Sequence, residues 1–327
     1  MSAVNRTSTL VTSGALFFLL LPVLADYIGN PYLLSLFSRV LIYGLAAASL
    51  DLLVGYGGLV SLGHAAFVGI GAYVVAIMFH HGAEAEPLLG FISGSENGFI
   101  VWPLAVLAAA GAALLIGALS LRTSGMHFIM ITLAFAQMAY YFSVSLEKYG
   151  GDDGISLYDR SVLGGLDLGN DISFYYVCFF LLSLFLILAY RLTRSRFGLI
   201  LRGCGSNPRR IQALGIHSKR YRLVCFVIGG AGAGLAGALL ANQTEYVSPA
   251  LLHWTLSGEL LVMVLLGGLG SLFGPVLGAT VYLLLEETLA MYTEHWMVYF
   301  GPILILVVIF AKQGLFGLLT GAWKSDE

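Results

Sequence analysis

The sequence predicts an all-α polytopic membrane protein with about ten transmembrane helices, some broken or re-entrant. Three observations carry this expectation: composition, apolar runs of bilayer length, and basic residues gathered into one loop. Hydrophobic residues make up 58 % and charged residues 10 % of 327 residues, with a mean hydropathy of +0.88. A soluble domain is roughly a quarter charged. About ten spans of roughly 20 residues fill such a chain, so residues 1–327 read as a single transmembrane domain with no room for a second, soluble one.

The apolar runs fall near residues 10–28, 33–53, 59–79, 99–119, 125–145, 172–190, 223–241, 255–268, 275–290 and 297–310. The first resembles a cleavable signal peptide, with Arg6, an apolar run and Val23-Leu24-Ala25 in order. It is expected to be retained, because an uncleaved helix makes the number of crossings even. Before the eighth run, Ser248-Pro249 predicts a short interfacial helix with Trp254 at the membrane boundary.

Two glycine clusters interrupt the pattern: Gly55-Tyr56-Gly57-Gly58 and Gly267-Gly268-Leu269-Gly270. Both break or unwind helices at membrane depth, where non-helical backbone is tolerated only inside protein or along a cavity. The breaks are therefore candidates for a translocation path, with Gly57, Gly58, Ser61, His64, Ser257, Glu259, Gly267 and Gly268 beside them. Residues 57–63 and 267–274 also read alike, through duplication or through chance in a chain with 41 glycines. Gly230 and Gly234, and Gly270, Gly274 and Gly278, have the spacing of closely packed helix faces.

Orientation follows from charge. Arg191, Arg194, Arg196, Arg202, Arg209, Arg210, Lys219, Arg220 and Arg222 crowd into one loop, about 191–222, which the positive-inside rule places in the cytoplasm. Alternation then puts Arg6, Arg122, Lys312 and Lys324 on the same side, with both termini cytoplasmic. Glu84, Glu86 and Glu96 face outward, as do Glu147, Asp152, Asp153, Asp159, Asp167 and Asp171. They form a solvated surface or a landing site for an extracytoplasmic partner.

The basic loop has local structure of its own. Asn207 suits an N-cap, Pro208 the first helical position and Gly215 the left-handed residue after the last turn. Residues 208–214 therefore read as a two-turn helix. Ile211 and Leu214 share a face at i, i+3, flanked by Arg209 and Arg210, that fits a groove on another protein. The alternative is a basic loop lying on anionic lipid.

Several chemistries are excluded or weakened. No G-x-x-x-x-G-K-[ST] phosphate loop is present, so the chain does not hydrolyse ATP by that machinery. His64, His127 and His295 are dispersed, and no His/Cys spacing suggests a metal. Ser61 and His64 stand at i, i+3 without a nearby carboxylate, which leaves no nucleophilic triad. Cys178, Cys204 and Cys225 imply no disulfide framework. Nothing in the pattern calls for nucleic acid. An ion-driven carrier needs buried ionisable groups. Asp51 and Arg122 lie near predicted cytoplasmic ends, and Glu286 and Glu287 near an outer end, all within reach of water. Glu259 is the best internal candidate, although it also suits a helix N-terminus after Ser257-Gly258.

From Asp51 almost to Leu319 the chain resembles the inner-membrane permease subunits of ABC importers of the leucine/isoleucine/valine class. The resemblance rests on four ordered segments. They are Asp51 to Tyr73, with Gly57-Gly58 and His64; Thr132 to Gln137 with Gly150 to Gly154; Phe197-Gly198 with Ala213-Leu214-Gly215 and Tyr221; and Tyr246 to Pro249 with Trp254, Ser257-Gly258-Glu259 and Met263 to Gly270. It implies an ABC importer permease fold in a bacterial inner membrane, and a place for Gln137 on the path. It further implies a sister permease, two cytosolic ATPases that use ATP and Mg, and a periplasmic substrate-binding protein. On that reading the chain is not itself an enzyme and binds no cofactor. Asn207, Pro208, Arg209, Arg210, Ile211, Ala213, Leu214 and Gly215 become a coupling helix. Gly203, Gly205, Ser206 and Pro208 depart from the more charged run common in the class, so individual salt bridges to the ATPase do not carry over. The class serves aliphatic amino acids, urea, short amides and aromatic acids. Trp254 and Ser257-Gly258-Glu259 are more similar to the amino-acid and aromatic-acid members than to the urea ones.

Overall fold

The computed structural model describes residues 3–83, 94–293, 295–310 and 314–320. Among these residues are thirteen α-helices: α1 (Ala3–Ile28), α2 (Pro31–Asp51), α3 (His64–Ala83), α4 (Gly98–Ser120), α5 (Met126–Val144), α6 (Asp171–Arg194), α7 (Arg196–Ser206), α8 (Pro208–Ala213), α9 (Ser218–Thr244), α10 (Trp254–Gly267), α11 (Gly274–Tyr292), α12 (Trp296–Phe310) and α13 (Gly314–Thr320). Every predicted apolar run is met by a helix, namely α1 to α6 and α9 to α12. Seven of these, α1 to α6 and α9, are long and apolar enough to cross a membrane, while the apolar helices α10 and α12 are shorter. Such helices satisfy their own backbone polar groups, as a spanning element must. Glu84, Glu86, Lys312 and Lys324 lie outside the described residues.

Capping follows the sequence closely. Asn30, Asn97 and Asn170 each accept a backbone hydrogen bond at the start of α2, α4 and α6. In α1, Pro22 cannot donate to the Phe18 carbonyl four residues back. The Tyr175 hydroxyl of α6 donates to that carbonyl instead, at 2.7 Å, so the polar group freed by the proline is satisfied.

The core forms where α9 packs against α2, α3 and α4, and where α2 packs against α11. Small residues allow the close approach: a Cβ at Gly237 would strike the Val68 carbonyl of α3, and one at Gly234 would strike Ala109 of α4. The third helix departs from expectation. It begins at His64 rather than near Leu59, because Gly58 adopts φ +62 and residues 57–63 leave the helical path.

The segment between α5 and α6 is built rather than merely solvated. Ile155–Ser156 pairs antiparallel with Tyr246–Val247, just beyond α9. Arg160 bridges Asp171 at 2.8 Å and Glu245 at 3.3 Å, with its guanidinium 4.8 Å from the Phe174 ring centroid. The Asn242 side chain accepts from Ser161 N at 2.7 Å. After this ribbon a 3-10 turn, Pro249–Leu252, supplies the short helix that Ser248-Pro249 predicts.

Candidate functional site

The first break starts as a widened turn. Helix α2 continues through a π-helical stretch, Leu52–Tyr56, and Leu59 N then donates to Leu53 O at 2.9 Å. Beyond Gly58 the chain is extended, with Leu59, Ser61 and Gly63 buried and Val60 exposed. Gly63 lies against Thr132 of α5. The second break follows α10: Gly268 has φ +113, Gly270 φ +70 and Leu272 φ +54, and α11 begins at Gly274.

Asp51 joins the two breaks. Its carboxylate is fully buried; Oδ1 accepts from Gly270 N at 2.8 Å and Oδ2 from Leu272 N at 3.3 Å. A Cβ on Gly55 would lie 2.6 Å from Gly270 Cα, so backbone meets backbone here. The two glycine motifs that look alike in sequence are thus adjacent in space. This corrects the expectation that Asp51 reaches water. Its lone pairs are taken by the amides that the second break exposes, and those amides have no helical partners of their own.

A second junction lies at the first turns of α3 and α10. Ser257 Oγ accepts from Ala65 N at 2.8 Å, capping an otherwise orphan amide of α3 from a different helix. Ser49 Oγ donates to Ala46 O at 2.7 Å and lies 2.8 Å from His64 Nε2. With the Ser49 proton already committed, His64 donates through Nε2–H. Its Nδ1 is left as a buried acceptor without a partner among the described residues. Ser61 Oγ accepts from Gly63 N at 3.2 Å. Ser61 and His64 therefore engage other groups and make no nucleophile pair with each other. His64 and Ser257 are brought together, and the positive ends of two helices converge with them.

The remaining predicted path residues occupy distinct places. Gln137 sits on α5, with Nε2 buried and unpartnered among the described residues. The same helix exposes Met126, Met130, Met138 and Tyr141, and Tyr140 stacks edge-on with His253 at 5.2 Å. Gly267 lies against Gly274 at the neck of the second break. Glu259 is not in the His64 junction but lies near Arg39 of α2 and Glu286 of α11.

The basic loop folds as two helices. Asn207 Oδ1 accepts from Arg210 N at 3.1 Å, Pro208 occupies the first turn of α8, and Gly215 has φ +80, all as the sequence predicts. Arg209, Arg210, Ala213 and Leu214 are exposed, Leu214 at 70 %. Ile211 turns instead toward α7: a Cβ on Gly203 would lie 2.7 Å from Ile211 Cδ1. The exposed apolar residue of α8 is thus Leu214 alone rather than an Ile211–Leu214 pair. Helix α7, which sequence reasoning did not anticipate, links this loop to the first break. A Cβ on Gly58 would lie 3.0 Å from Gly205 Cα, Arg202 stacks 5.3 Å from the Tyr56 ring centroid, and Arg222 Nη2 donates to Cys204 O at 2.5 Å. A glycine-rich helix beside a basic loop was the available signal, since Gly203 and Gly205 permit both close contacts.

Residues 32–311 match the family model described as "Branched-chain amino acid transport system / permease component". The chain belongs to this family. It is 29 % identical over 299 residues to the "High-affinity branched-chain amino acid transport system permease protein LivM" of Escherichia coli K12, covering 84 % of this chain and 68 % of that protein. Similarity to the "Probable branched-chain amino acid transport permease protein LivM" of Methanocaldococcus jannaschii is 25 % over 316 residues, covering 84 % and 90 %. A shorter match, 30 % over 125 residues, covers 38 % of this chain and 40 % of the Escherichia coli "High-affinity branched-chain amino acid transport system permease protein LivH". No solved structure matches the chain. Membership of this permease family accounts for the succession of apolar helices.

Proposed function

We propose that this chain is the transmembrane permease subunit of an ATP-driven importer that moves branched-chain or other hydrophobic amino acids into the cell. In this reading it pairs with a sister permease and two cytosolic ATPases, and receives substrate from a periplasmic binding protein. It resides in a bacterial inner membrane with both termini cytoplasmic, and ATP and Mg are used only by the partners. The LivM and LivH names of the relatives support both the substrate class and the pairing of two permeases.

The observation that carries the reading is the unbroken run of contacts from the exposed Leu214 to the two breaks. Helix α8 packs on α7 through Ile211 and Gly203; α7 packs on Gly58 through Gly205; and residues 51–55 hold Gly270 through Asp51 and Gly55. A push on α8 by an ATPase therefore reaches the point where α2, α10 and α11 are tied. The tie is two hydrogen bonds to the Asp51 carboxylate, each worth about 1.5–3 kcal/mol when a charged group accepts it. That is within reach of ATP hydrolysis, so the end of α2 and the break between α10 and α11 can part and rejoin during a cycle. Beside α8 lies a cleft of about 490 Å³ lined by Phe197, Gly215, Ile216, His217, Arg220 and Tyr221, which suits a docking side chain of the ATPase.

The test is uptake of radiolabelled leucine by vesicles holding the complete complex. Uptake is expected to require ATP on the α8 side and binding protein on the other. Leucine uptake that needs neither would overturn the reading.

A further inference from the structure

A cavity of about 450 Å³ lies beside α1, walled by side chains of α2, α6, α11 and α13. Among the described residues its polar lining is limited to Ser183 and Thr280, and the Thr280 hydroxyl donates back to Val276 O at 2.7 Å. Walls of this kind exclude water: an apolar cavity of about 150 Å³ already stays dry and takes up benzene. Hydrocarbon is therefore the filling they favour. Phe17, Ile187 and Leu319 of the lining are half exposed, so the cavity opens at the outer surface of the helix bundle, where lipid lies. From Phe179 to Ile187 along α6 it runs about 12 Å at about 1.5 Å per residue. That is most of the depth of one hydrocarbon leaflet, about 15 Å.

Charge marks one end of the cavity. On α6 the lining stripe continues from Leu186 and Ile187 to Tyr190, Arg191 and Arg194 at helical spacing. The Arg194 guanidinium lies 4.5 Å from the Tyr190 ring centroid, and the Tyr190 ring lies 6.4 Å from that of Phe273, a lining residue. Both arginines are exposed, and no carboxylate pairs with either among the described residues. They stand where α6 enters the basic loop, on the side that the charge pattern assigns to the cytoplasm.

We propose that this is a binding site for an anionic phospholipid of the cytoplasmic leaflet. One acyl chain occupies the cavity, Tyr190 lies at headgroup level, and Arg191 and Arg194 receive the phosphate, which the planar guanidinium fork fits bidentately. A lipid with a zwitterionic headgroup would satisfy the cavity but not the arginines, and a free phosphate the arginines but not the cavity. The cavity also touches the second break. Phe273 follows Leu272, whose amide Asp51 holds, and a Cβ on Gly314, at the start of α13, would strike Gly268. A bound chain therefore braces that break from outside. The leaflet follows from the cytoplasmic placement of the basic loop; the site itself does not depend on which substrate is carried.

The test uses the full-length chain in the complete complex, stripped of lipid in detergent and titrated with dioleoyl phosphatidylglycerol. Native mass spectrometry is expected to find a tightly held lipid on each copy of this chain, and the thermal midpoint is expected to rise with occupancy. Dioleoyl phosphatidylcholine, with the same chains, is expected to bind about tenfold or more weaker, the loss of charge-assisted contacts. Glycerol phosphate, a headgroup without chains, is expected to leave the midpoint unmoved. Gly14→Phe sends a ring into the cavity from a position where a Cβ meets nothing within 4 Å, and should abolish tight binding. Arg191→Gln with Arg194→Gln should lower phosphatidylglycerol binding to the phosphatidylcholine level. Equal binding of the two lipids by the wild type, or unchanged phosphatidylglycerol binding in either variant, would overturn the site. So would a midpoint raised as far by glycerol phosphate, since the arginines would then hold phosphate alone. A Gly14→Phe chain that keeps its lipid but loses the sister permease would also overturn it, because a protein helix would then fill the cavity. Each of these failures leaves leucine uptake by the wild type intact.

Discussion

Removing the Asp51 carboxylate should loosen the junction that ties the two breaks. In Asp51→Ala the amides of Gly270 and Leu272 lose acceptors at 2.8 and 3.3 Å in a fully buried place. Each buried amide left without a partner costs about 1–3 kcal/mol, so the direct loss is about 2–6 kcal/mol. Relief of the carboxylate's own desolvation offsets part of this, which favours the lower half of the range. Asp51→Asn keeps one oxygen for Gly270 N but turns an NH₂ group toward Leu272 N, and should fall between wild type and alanine. Asp51→Glu should not substitute, because the Gly55–Gly270 backbone contact leaves no room for another methylene. Thermal unfolding of the detergent-solubilised complex, followed by Trp fluorescence, measures the order wild type, Asn, Ala. Coupling is read as the ratio of leucine transported to ATP hydrolysed, which should fall in the same order. An Asp51→Ala complex with unchanged stability and unchanged coupling would refute the argument that this carboxylate is the tie.

Other perturbations test neighbouring links. Leu214→Asp, or Gly215→Val at a position with φ +80, should leave the permease inserted but lower stimulated ATP hydrolysis and uptake together; full stimulation in both variants would remove α8 from the coupling role. Bulky residues at Gly58, which faces Gly205, and at Gly268, with φ +113, should block uptake without dissociating the complex; normal transport by both would sink the path assignment. Single cysteines at the exposed Ser206 and Ser156 should react with an impermeant maleimide from opposite sides of the membrane, and labelling from one side would overturn the orientation. Arg160→Ala removes contacts to Asp171, Glu245 and Phe174, and should speed proteolysis between α5 and α6 before it affects the rest of the chain.

What the sequence made legible was local. The α8 helix is written within nine residues, with Asn207 as cap, Pro208 at its start and Gly215 at its end, and all three behave as their types dictate. The apolar runs locate α1 to α6 and α9 to α12 for the same reason, since a helix satisfies its own backbone. The breaks were visible as glycines, but their junction was not. Asp51 and Gly270 are separated by 219 positions, and no spacing rule connects a carboxylate to amides so distant. The Ile155–Val247 ribbon was hidden in the same way, because two residues in each strand carry no periodicity. Ile211 misled because i, i+3 spacing defines a helix face without saying which neighbour covers it. Here the neighbour is α7, through Gly203. Arg39 drew no attention as a lone basic residue near a helix end; only packing of α2 against α11 sets it beside Glu286.

Leucine accumulation in sealed vesicles containing this chain, a sister permease, two ATPases and a periplasmic binding protein tests the central claim most directly. With ATP supplied on the side that carries α8, accumulation should proceed, stop when the ATPase active site is inactivated, and continue after an uncoupler collapses the proton gradient. Accumulation that survives loss of ATP hydrolysis and disappears with the uncoupler would contradict the account.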